Sequence, residues 1–133
     1  MSAGRNGGLS SAPIDVELRV APDAISEARA AVDRMPGDSA LLNNLRLLVS
    51  ELVTNSVRHA GLDEGARISL HIETTPDVVR VEVSNPGSGF VPRVPDPEIM
   101  RESGWGLYLV DEVADRWGVE ADKGTRVWFE IDR

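Results

Sequence analysis

Three polar residues recur at helical spacing within a segment rich in apolar side chains. Glu51, Asn55 and His59 stand four residues apart, which places them on one face of a helix. Amide and carboxylate oxygens suit Mg²⁺, and a carboxylate can accept a proton from an attacking hydroxyl. The spacing therefore suggests a site in which Asn55 binds a metal ion and Glu51 acts as a base. The same spacing is typical of a solvated helix face, and by itself it leaves both interpretations open.

Two glycine clusters are the second candidate feature. Asn85-Pro-Gly87-Ser-Gly89 follows a predicted strand, and Gly104-Trp-Gly106 opens a predicted helix. Glycines allow the backbone to approach a phosphate closely, and the first helical turn offers unpaired N–H groups with a partial positive charge. Each cluster taken singly is also typical of an ordinary turn. Neither has the spacing of a P-loop or of a dinucleotide-binding fingerprint.

The composition limits the class of protein. The chain has 133 residues, no cysteine and a net charge of −8. The lack of cysteine excludes disulfides and thiolate chemistry, and the acidic balance argues against direct binding to nucleic acid. No segment reaches the ~18 consecutive apolar residues of a membrane span, so we expect a cytoplasmic protein without a membrane partner. Residues 1–13 lack the apolar centre of a signal peptide and are expected to form a disordered tail.

Hydrophobic periodicity predicts the elements that position these residues. Predicted strands cover residues 14–20, 66–74, 78–84, 119–121 and 125–131. Predicted helices cover residues 23–34 and 39–60, and a third starts near Gly104 with Val110, Val113 and Trp117 on one apolar face. This order predicts one domain over 14–133, an α/β (α+β) two-layer sandwich. Its mixed, mostly antiparallel sheet is covered on one face by about three helices.

Four segments in chain order resemble the motifs of the GHKL ATPase superfamily. Residues 51–60, ELVTNSVRHA, resemble its N box, and residues 83–90, VSNPGSGF, resemble its first glycine box. Residues 103–110, SGWGLYLV, resemble the second glycine box, and residues 124–130, GTRVWFE, resemble the last box. The resemblance covers nearly everything after the tail. It is closest to the small anti-sigma-factor serine/threonine kinases and their actinobacterial relatives, which share the compact length.

The resemblance implies a Bergerat fold that binds ATP and Mg²⁺ between the long helix, a lid loop and the sheet. Asn55 is then expected to ligate Mg²⁺, and Glu51 to act as the general base toward a serine hydroxyl of a partner protein. The expected partners are a sigma factor, which such kinases sequester, and a STAS-type anti-sigma antagonist, which they phosphorylate on serine. The resemblance also allows a homodimer.

The resemblance assigns further residues to the nucleotide. Asn85, Gly87 and Gly89 are expected at its adenine and ribose end, where Thr125 supports the adenine. Gly104 and Gly106 are expected to receive the phosphates. The nucleotide contacts expected from the second glycine box are Ser103, Gly104, Trp105, Gly106 and Leu107.

Two departures from the family pattern keep alternative functions open. Asn85 stands where the family has Asp, and an amide accepts a hydrogen bond without charge, which costs on the order of 1 kcal/mol. Glu102 stands where these kinases tend to have Arg, although Arg93 or Arg101 could replace that cation. One alternative is therefore a non-catalytic, nucleotide-sensing or nucleotide-independent protein-binding module with a degenerate ATP site. The other, ranked last, is the ATP-binding half of a histidine kinase, because the chain has no upstream helical hairpin with a phospho-acceptor histidine.

Overall fold

The computed structural model describes residues 12–59, 65–87, 106–121 and 124–133. Five strands and three helices lie within these ranges. In chain order they are β1 (Ile14–Arg19), α1 (Asp23–Val32), α2 (Ser39–His59), β2 (Arg67–Thr74), β3 (Val78–Asn85), α3 (Gly106–Val113), β4 (Arg116–Glu120) and β5 (Thr125–Asp132).

The strands form one sheet in the order β1-β2-β3-β5-β4, and each neighbouring pair is antiparallel. Helix α2 packs between α1 and α3, and the three helices contact β1, β3 and β4. The predicted α+β sandwich is therefore confirmed for the described residues. None of the described helices is both long and apolar enough to cross a membrane.

Alternation along the strands separates an inner sheet face from an outer one. Val79, Val81 and Val83 are buried on the inner face, whereas Arg80 and Glu82 between them are partly exposed. The register sets inner residues of neighbouring strands side by side, so that the helices cover a continuous apolar surface. Each fully buried aliphatic side chain in such a core contributes about 1.5–3 kcal/mol. The largest fully buried side chains include Phe129, Leu18, Leu45, Leu48, Ile68, Leu70 and Ile72.

Helix α2 starts at a side-chain cap and presents a broad apolar stripe to the sheet. The Leu41 N–H donates to Asp38 Oδ1 at 2.8 Å, which confirms Asp38 as one of the two predicted capping residues. The stripe continues along the helix through Leu45, Leu48, Val49, Leu52 and Val53, all of which are buried. This burial fixes the rotation of α2 about its axis, and therefore which side chains lie at its margin.

The prediction that Trp117 belongs to the third helix is wrong. Helix α3 ends at Val113, and the Asp115 N–H then donates to the carbonyl of Glu130, which joins the chain to β5. Trp117 lies in β4, and its Nε1 donates to Asp111 Oδ1 of α3 at 2.9 Å. This hydrogen bond ties the indole back to the helix that precedes it.

The outer face of β3, β4 and β5 carries an ionic cluster around a tryptophan. The Arg80 guanidinium lies 4.3 Å from the ring centroid of Trp128 and binds Glu130. Gly118 pairs with Trp128 across the strands, and a Cβ there would lie 2.8 Å from the indole Nε1. Arg116 and Arg80 lower the pKa of Glu130 through hydrogen bonds. These arginines are thus engaged by carboxylates on the face opposite the helices.

Two carboxylates flank the imidazole of His71 on the outer face near β1. His71 contacts Asp15 of β1, and its Nε2 lies 2.7 Å from Glu73 Oε1. The hydrogen bond to Asp15, followed by that to Glu73, raises the pKa of His71 above 6.5. Because the pKa is higher in the folded state, the protonated ring stabilises that state. The contribution is full below about pH 6.5 and disappears as the pH rises through the folded-state pKa.

Replacing His71 with Gln should therefore flatten the pH dependence of stability above about pH 6.5. Glutamine retains hydrogen-bonding groups but does not titrate. We expect the urea midpoint of the native protein to fall as the pH rises from about 6 to about 8.5, and that of His71→Gln to fall less. Equal slopes for the two proteins would show that His71 is not responsible for the dependence.

Candidate functional site

A polar chain of hydrogen bonds joins α2 to one end of the sheet. Asn85 is the last residue of β3 and pairs with Thr125, the first residue of β5. Asn85 Nδ2 donates to Ser56 Oγ of α2 at 3.1 Å, and the Gly87 N–H donates to Asn85 Oδ1 at 2.8 Å. Thr125 Oγ1 donates to the Gly87 carbonyl at 2.9 Å. We call Ser56, Asn85, Gly87 and Thr125 the polar chain.

The polar chain lies at the edge of the core. Ser56 is 7% exposed and Thr125 is 5% exposed, whereas Asn85 and Gly87 are half-buried. Burying a hydroxyl without a hydrogen-bond partner costs about 1–3 kcal/mol of stability. The contacts of the polar chain avoid that cost, and they stabilise the local conformation in which they form. The polar chain connects three predicted site residues, Asn85, Gly87 and Thr125, through hydrogen bonds.

Ser56 belongs to the polar chain but was not among the predicted site residues. It falls within the apolar stripe of α2, four residues after Leu52 and three after Val53, both of which are buried. A single hydroxyl at a core-facing position was the available signal, because it needs a partner from the opposing sheet. The signal could not identify Asn85 as that partner, because the partner depends on how α2 lies across β3.

Glu51 and Asn55 lie on the same helix as Ser56. Asn55 precedes Ser56 directly, and Glu51 lies one turn before Asn55. Both side chains are half-buried. Within the described ranges, neither makes a side-chain hydrogen bond or an ion pair. Partly buried polar groups in this state keep their hydrogen-bonding capacity for a ligand.

Close backbone packing shapes the entry to β5. Gly124 has a φ of +142°, and a Cβ built there would lie 2.4 Å from the carbonyl oxygen of Asn85. Any larger residue at 124 would therefore push directly on the strand end that carries Asn85.

Gly124→Ala is expected to destabilise the protein by roughly 1–3 kcal/mol, because of backbone strain and the clash with Asn85. Urea unfolding measures this change, with Gly65→Ala as the control. A Cβ at Gly65 would meet no atom of the described residues within 4 Å, so the control should stay within about 0.5 kcal/mol of the native protein. An equal, small effect at both glycines would contradict the close approach.

The remaining predicted site residues are placed in part or not at all. Gly106 and Leu107 are the first two residues of α3, which packs against α2. The predicted residues outside the described ranges are Gly89, Ser103, Gly104 and Trp105, together with Arg93, Arg101 and Glu102 of the expected lid.

The described residues fit a metal ion that is coordinated partly by the protein and partly by substrate phosphates. Among the described residues, no group of three or more His, Cys, Asp or Glu side chains is arranged to hold a metal ion. Mg²⁺ usually keeps waters and combines one or two protein oxygens with substrate phosphates. The amide oxygen of Asn55 fits that role. Arg58, three residues further along α2, is an exposed cation with no carboxylate partner in the described part of the chain.

The fold of the described residues defines a class of domain in which three helices pack on a five-stranded antiparallel sheet. A family model described as the histidine kinase-like ATPase domain matches residues 13–131. The chain belongs to this family.

Curated relatives of the chain carry the name serine-protein kinase RsbW. The protein of that name from Listeria monocytogenes serotype 4a (strain HCC23) is 28% identical and aligns with 86% of this chain and 83% of its own length. The one from Oceanobacillus iheyensis is 25% identical, with coverages of 77% and 75%.

Two solved structures share the fold. The crystal structure of the RsbU and RsbW domains of Rv1364c from Mycobacterium tuberculosis matches 91% of this chain and 32% of that one. Its TM-score is 0.70, at 17% identity. The histidine kinase domain of the blue-light-activated histidine kinase EL346 from Erythrobacter litoralis matches 81% of this chain and 58% of that one. Its TM-score is 0.53, at 23% identity.

Proposed function

We propose that this protein is a serine kinase that transfers the γ-phosphoryl group of ATP to a serine of a partner protein. The single observation that carries the proposal is the polar chain, which joins the helix bearing Glu51 and Asn55 to the sheet end bearing Asn85. Family membership and the name serine-protein kinase among the relatives support the same reaction. The nucleotide site then spans α2, the end of β3, the start of β5 and the start of α3.

Each residue has a separate role in this proposal. Asn85, Gly87 and Thr125 bind the base end of ATP, the role that the resemblance implies for them, and hydrogen bonds connect the three at the sheet end. Asn55 presents its amide oxygen to Mg²⁺. When bound, that ion neutralises part of the charge on the phosphates. Gly106 and Leu107 contribute backbone at the start of α3. Gly104 and Gly106 receive the phosphates, Ser103 and Trp105 are further nucleotide contacts, and Gly89 belongs to the adenine and ribose end.

Glu51 serves as the general base. Its half-buried carboxylate has no cationic partner among the described residues, so it remains available to accept a proton. It takes the proton of the attacking serine hydroxyl while that oxygen bonds to the γ-phosphorus. The bond from the γ-phosphorus to the bridging oxygen breaks, and ADP leaves with the bonding electrons.

The proposed partners are those that the resemblance to the anti-sigma-factor kinases implies. We expect the phosphorylated protein to be a STAS-type anti-sigma antagonist, and the sequestered protein to be a sigma factor. A homodimer and a cytoplasmic location complete the proposal. The net charge of −8 agrees with protein partners rather than with direct binding to nucleic acid.

One observation favours the non-catalytic alternative. Asn85 already bonds Ser56 through its NH₂ group and Gly87 through its oxygen, and it lacks the charge of an aspartate. A site with such a neutral acceptor binds the base more weakly, by about a factor of five to ten for 1 kcal/mol. A protein of this kind would keep its partner surface without turnover.

Phosphotransfer to purified antagonists from the same organism tests the proposal. The protein is incubated with γ-labelled ATP and Mg²⁺ beside each antagonist in turn, and phosphoserine is identified after hydrolysis. We expect label on the serine of one antagonist. If the protein binds ATP and labels none of them, the non-catalytic alternative replaces the kinase.

A further inference from the structure

Helix α2 carries two exposed side chains near Glu51 that are not part of the polar chain. Leu47 is 40% exposed and is the one exposed large hydrophobic side chain among the described residues. Arg58 is also exposed, and its guanidinium has no carboxylate partner in the described part of the chain. We call Leu47, Glu51 and Arg58 the α2 stripe.

Helical geometry places the α2 stripe on one side of the helix. A helix turns about 100° per residue, so Leu47 and Arg58 lie about 40° and about 20° from Glu51 around the axis. Ser56, which accepts a hydrogen bond from Asn85, points toward the sheet and lies about 140° or more from each of them. The α2 stripe therefore faces away from the sheet, on the side from which another protein can reach Glu51.

The charge of α2 differs from that of the whole protein. The chain has a net charge of −8, but Glu51 is the one acidic residue of α2, which also carries Arg46 and Arg58. Arg46 is engaged by Asp33, with Nε and Oδ1 2.6 Å apart. Arg58 is left as an exposed cation of α2, and such a group attracts an acidic side chain of a partner.

The spacing of the α2 stripe relates both side chains to the attacking hydroxyl. At a rise of about 1.5 Å per residue, Leu47 lies about 6 Å from Glu51 along the axis, and Arg58 about 10 Å from it in the opposite direction. A single exposed leucine is common on protein surfaces. This one stands one turn from the proposed base, so a protein that brings a serine to Glu51 also covers Leu47.

We propose that Leu47 and Arg58 form a docking surface for the protein substrate, which presents an apolar side chain on one side of its serine and an acidic side chain on the other. The inference rests on the proposed function, because it takes Glu51 to receive the proton of that serine. Neither Leu47 nor Arg58 takes part in the chemical step. Both therefore act on the affinity for the protein substrate and leave the rate at saturation unchanged.

Steady-state phosphotransfer tests this role, because it measures KM for the antagonist separately from kcat. The substrate is the antagonist that accepts label, and the proteins are the native chain, Leu47→Ala and Arg58→Glu. We expect each variant to raise KM for the antagonist about tenfold. The value of kcat and the calorimetric dissociation constant of ATP should change by less than about twofold. The effect of Arg58→Glu should shrink as NaCl rises from about 0.1 M to about 0.5 M, because salt screens exposed charges.

Two control variants separate docking from general effects. Leu47→Met keeps an apolar side chain of similar volume, so its KM should stay within about twofold of the native value. Arg67→Glu makes the same change of charge as Arg58→Glu, but on the outer face of β2, where Arg67 is exposed. It should leave KM unchanged. The midpoint of thermal unfolding of each variant should stay close to that of the native protein, because the substituted side chains are exposed.

Three results would overturn the inference while leaving the proposed function intact. One is a native KM in Leu47→Ala and Arg58→Glu. Another is an equal rise of KM in Arg67→Glu, which would assign the effect to net charge. The third is weaker ATP binding by Arg58→Glu, which would place this cation at the nucleotide instead. A native protein that binds ATP and labels no antagonist would contradict the proposed function itself, and the inference with it.

Discussion

Replacing Glu51 with Gln should lower the rate of phosphotransfer to the antagonist by roughly 10²–10⁴-fold, the usual effect of removing a general base. The affinity for ATP should change by less than about twofold, because the amide keeps the size and polarity of the side chain but cannot take the proton. Single-turnover transfer of label measures the rate, and calorimetry of the same preparation measures the affinity.

Glu51→Ala separates chemistry from structure. Glu51 is half-buried and makes no ion pair within the described residues, so the folded state should tolerate its truncation. We expect a midpoint of thermal unfolding close to that of the native protein, together with the same loss of transfer. If Glu51→Ala unfolds the protein, the carboxylate is structural and its assignment as the base is wrong.

Replacing Asn55 with Ala should remove the Mg²⁺-dependent part of ATP affinity. The amide oxygen is the proposed protein ligand of the ion, and alanine offers no oxygen in its place. We expect the dissociation constant in Mg²⁺ to rise at least tenfold, about 1.4 kcal/mol, to the value that the native protein shows in EDTA. Without Mg²⁺, the two proteins should bind ATP equally.

Asn55→Asp refines this prediction, because a carboxylate oxygen is also a ligand that Mg²⁺ accepts. This variant should retain Mg²⁺ dependence, whereas Asn55→Ala should lose it. If Asn55→Ala keeps the native response to Mg²⁺, then the ion is held by other groups and the role of Asn55 is wrong.

The sheet and the helix α2 were predictable because hydrophobic residues recur at a single spacing in each of them. Val79, Val81 and Val83 alternate with polar residues, and the strand they predict differs from β3 by one residue at its end. The Leu-rich stripe with Asp38 ahead of it predicted α2 together with its cap. In these segments local propensity and tertiary burial favour the same structure, so the sequence pattern was sufficient.

The end of the third helix was not predictable, because one residue fits both the hydrophobic spacing of a helix and that of a strand. Trp117 continues the helical spacing from Val110 and Val113, and it also begins the alternation that leads to Val119. Pairing of β4 with β5 decides the outcome, since it satisfies backbone groups that a longer α3 would not bring to the sheet. Spacing within one segment does not contain that long-range pairing.

The residues of the candidate site were also predictable only in part. Motif resemblance identified Asn85, Gly87 and Thr125, and the structure joins them through hydrogen bonds. It could not identify Ser56, whose role depends on the position of α2 over the end of β3. The functional roles of Glu51 and Asn55 stay predictions, supported by their place on the helix turn next to Ser56.

The most direct test of the proposed site is calorimetric titration of the native protein with ATP, in the presence and absence of Mg²⁺, beside the Asn85→Asp variant. We expect saturable binding that tightens with Mg²⁺, and tighter binding still in Asn85→Asp because a charged acceptor strengthens the hydrogen bond from the base. No binding by the native protein, with binding restored in Asn85→Asp, would contradict a functional ATP site and leave a protein-binding module on the same fold.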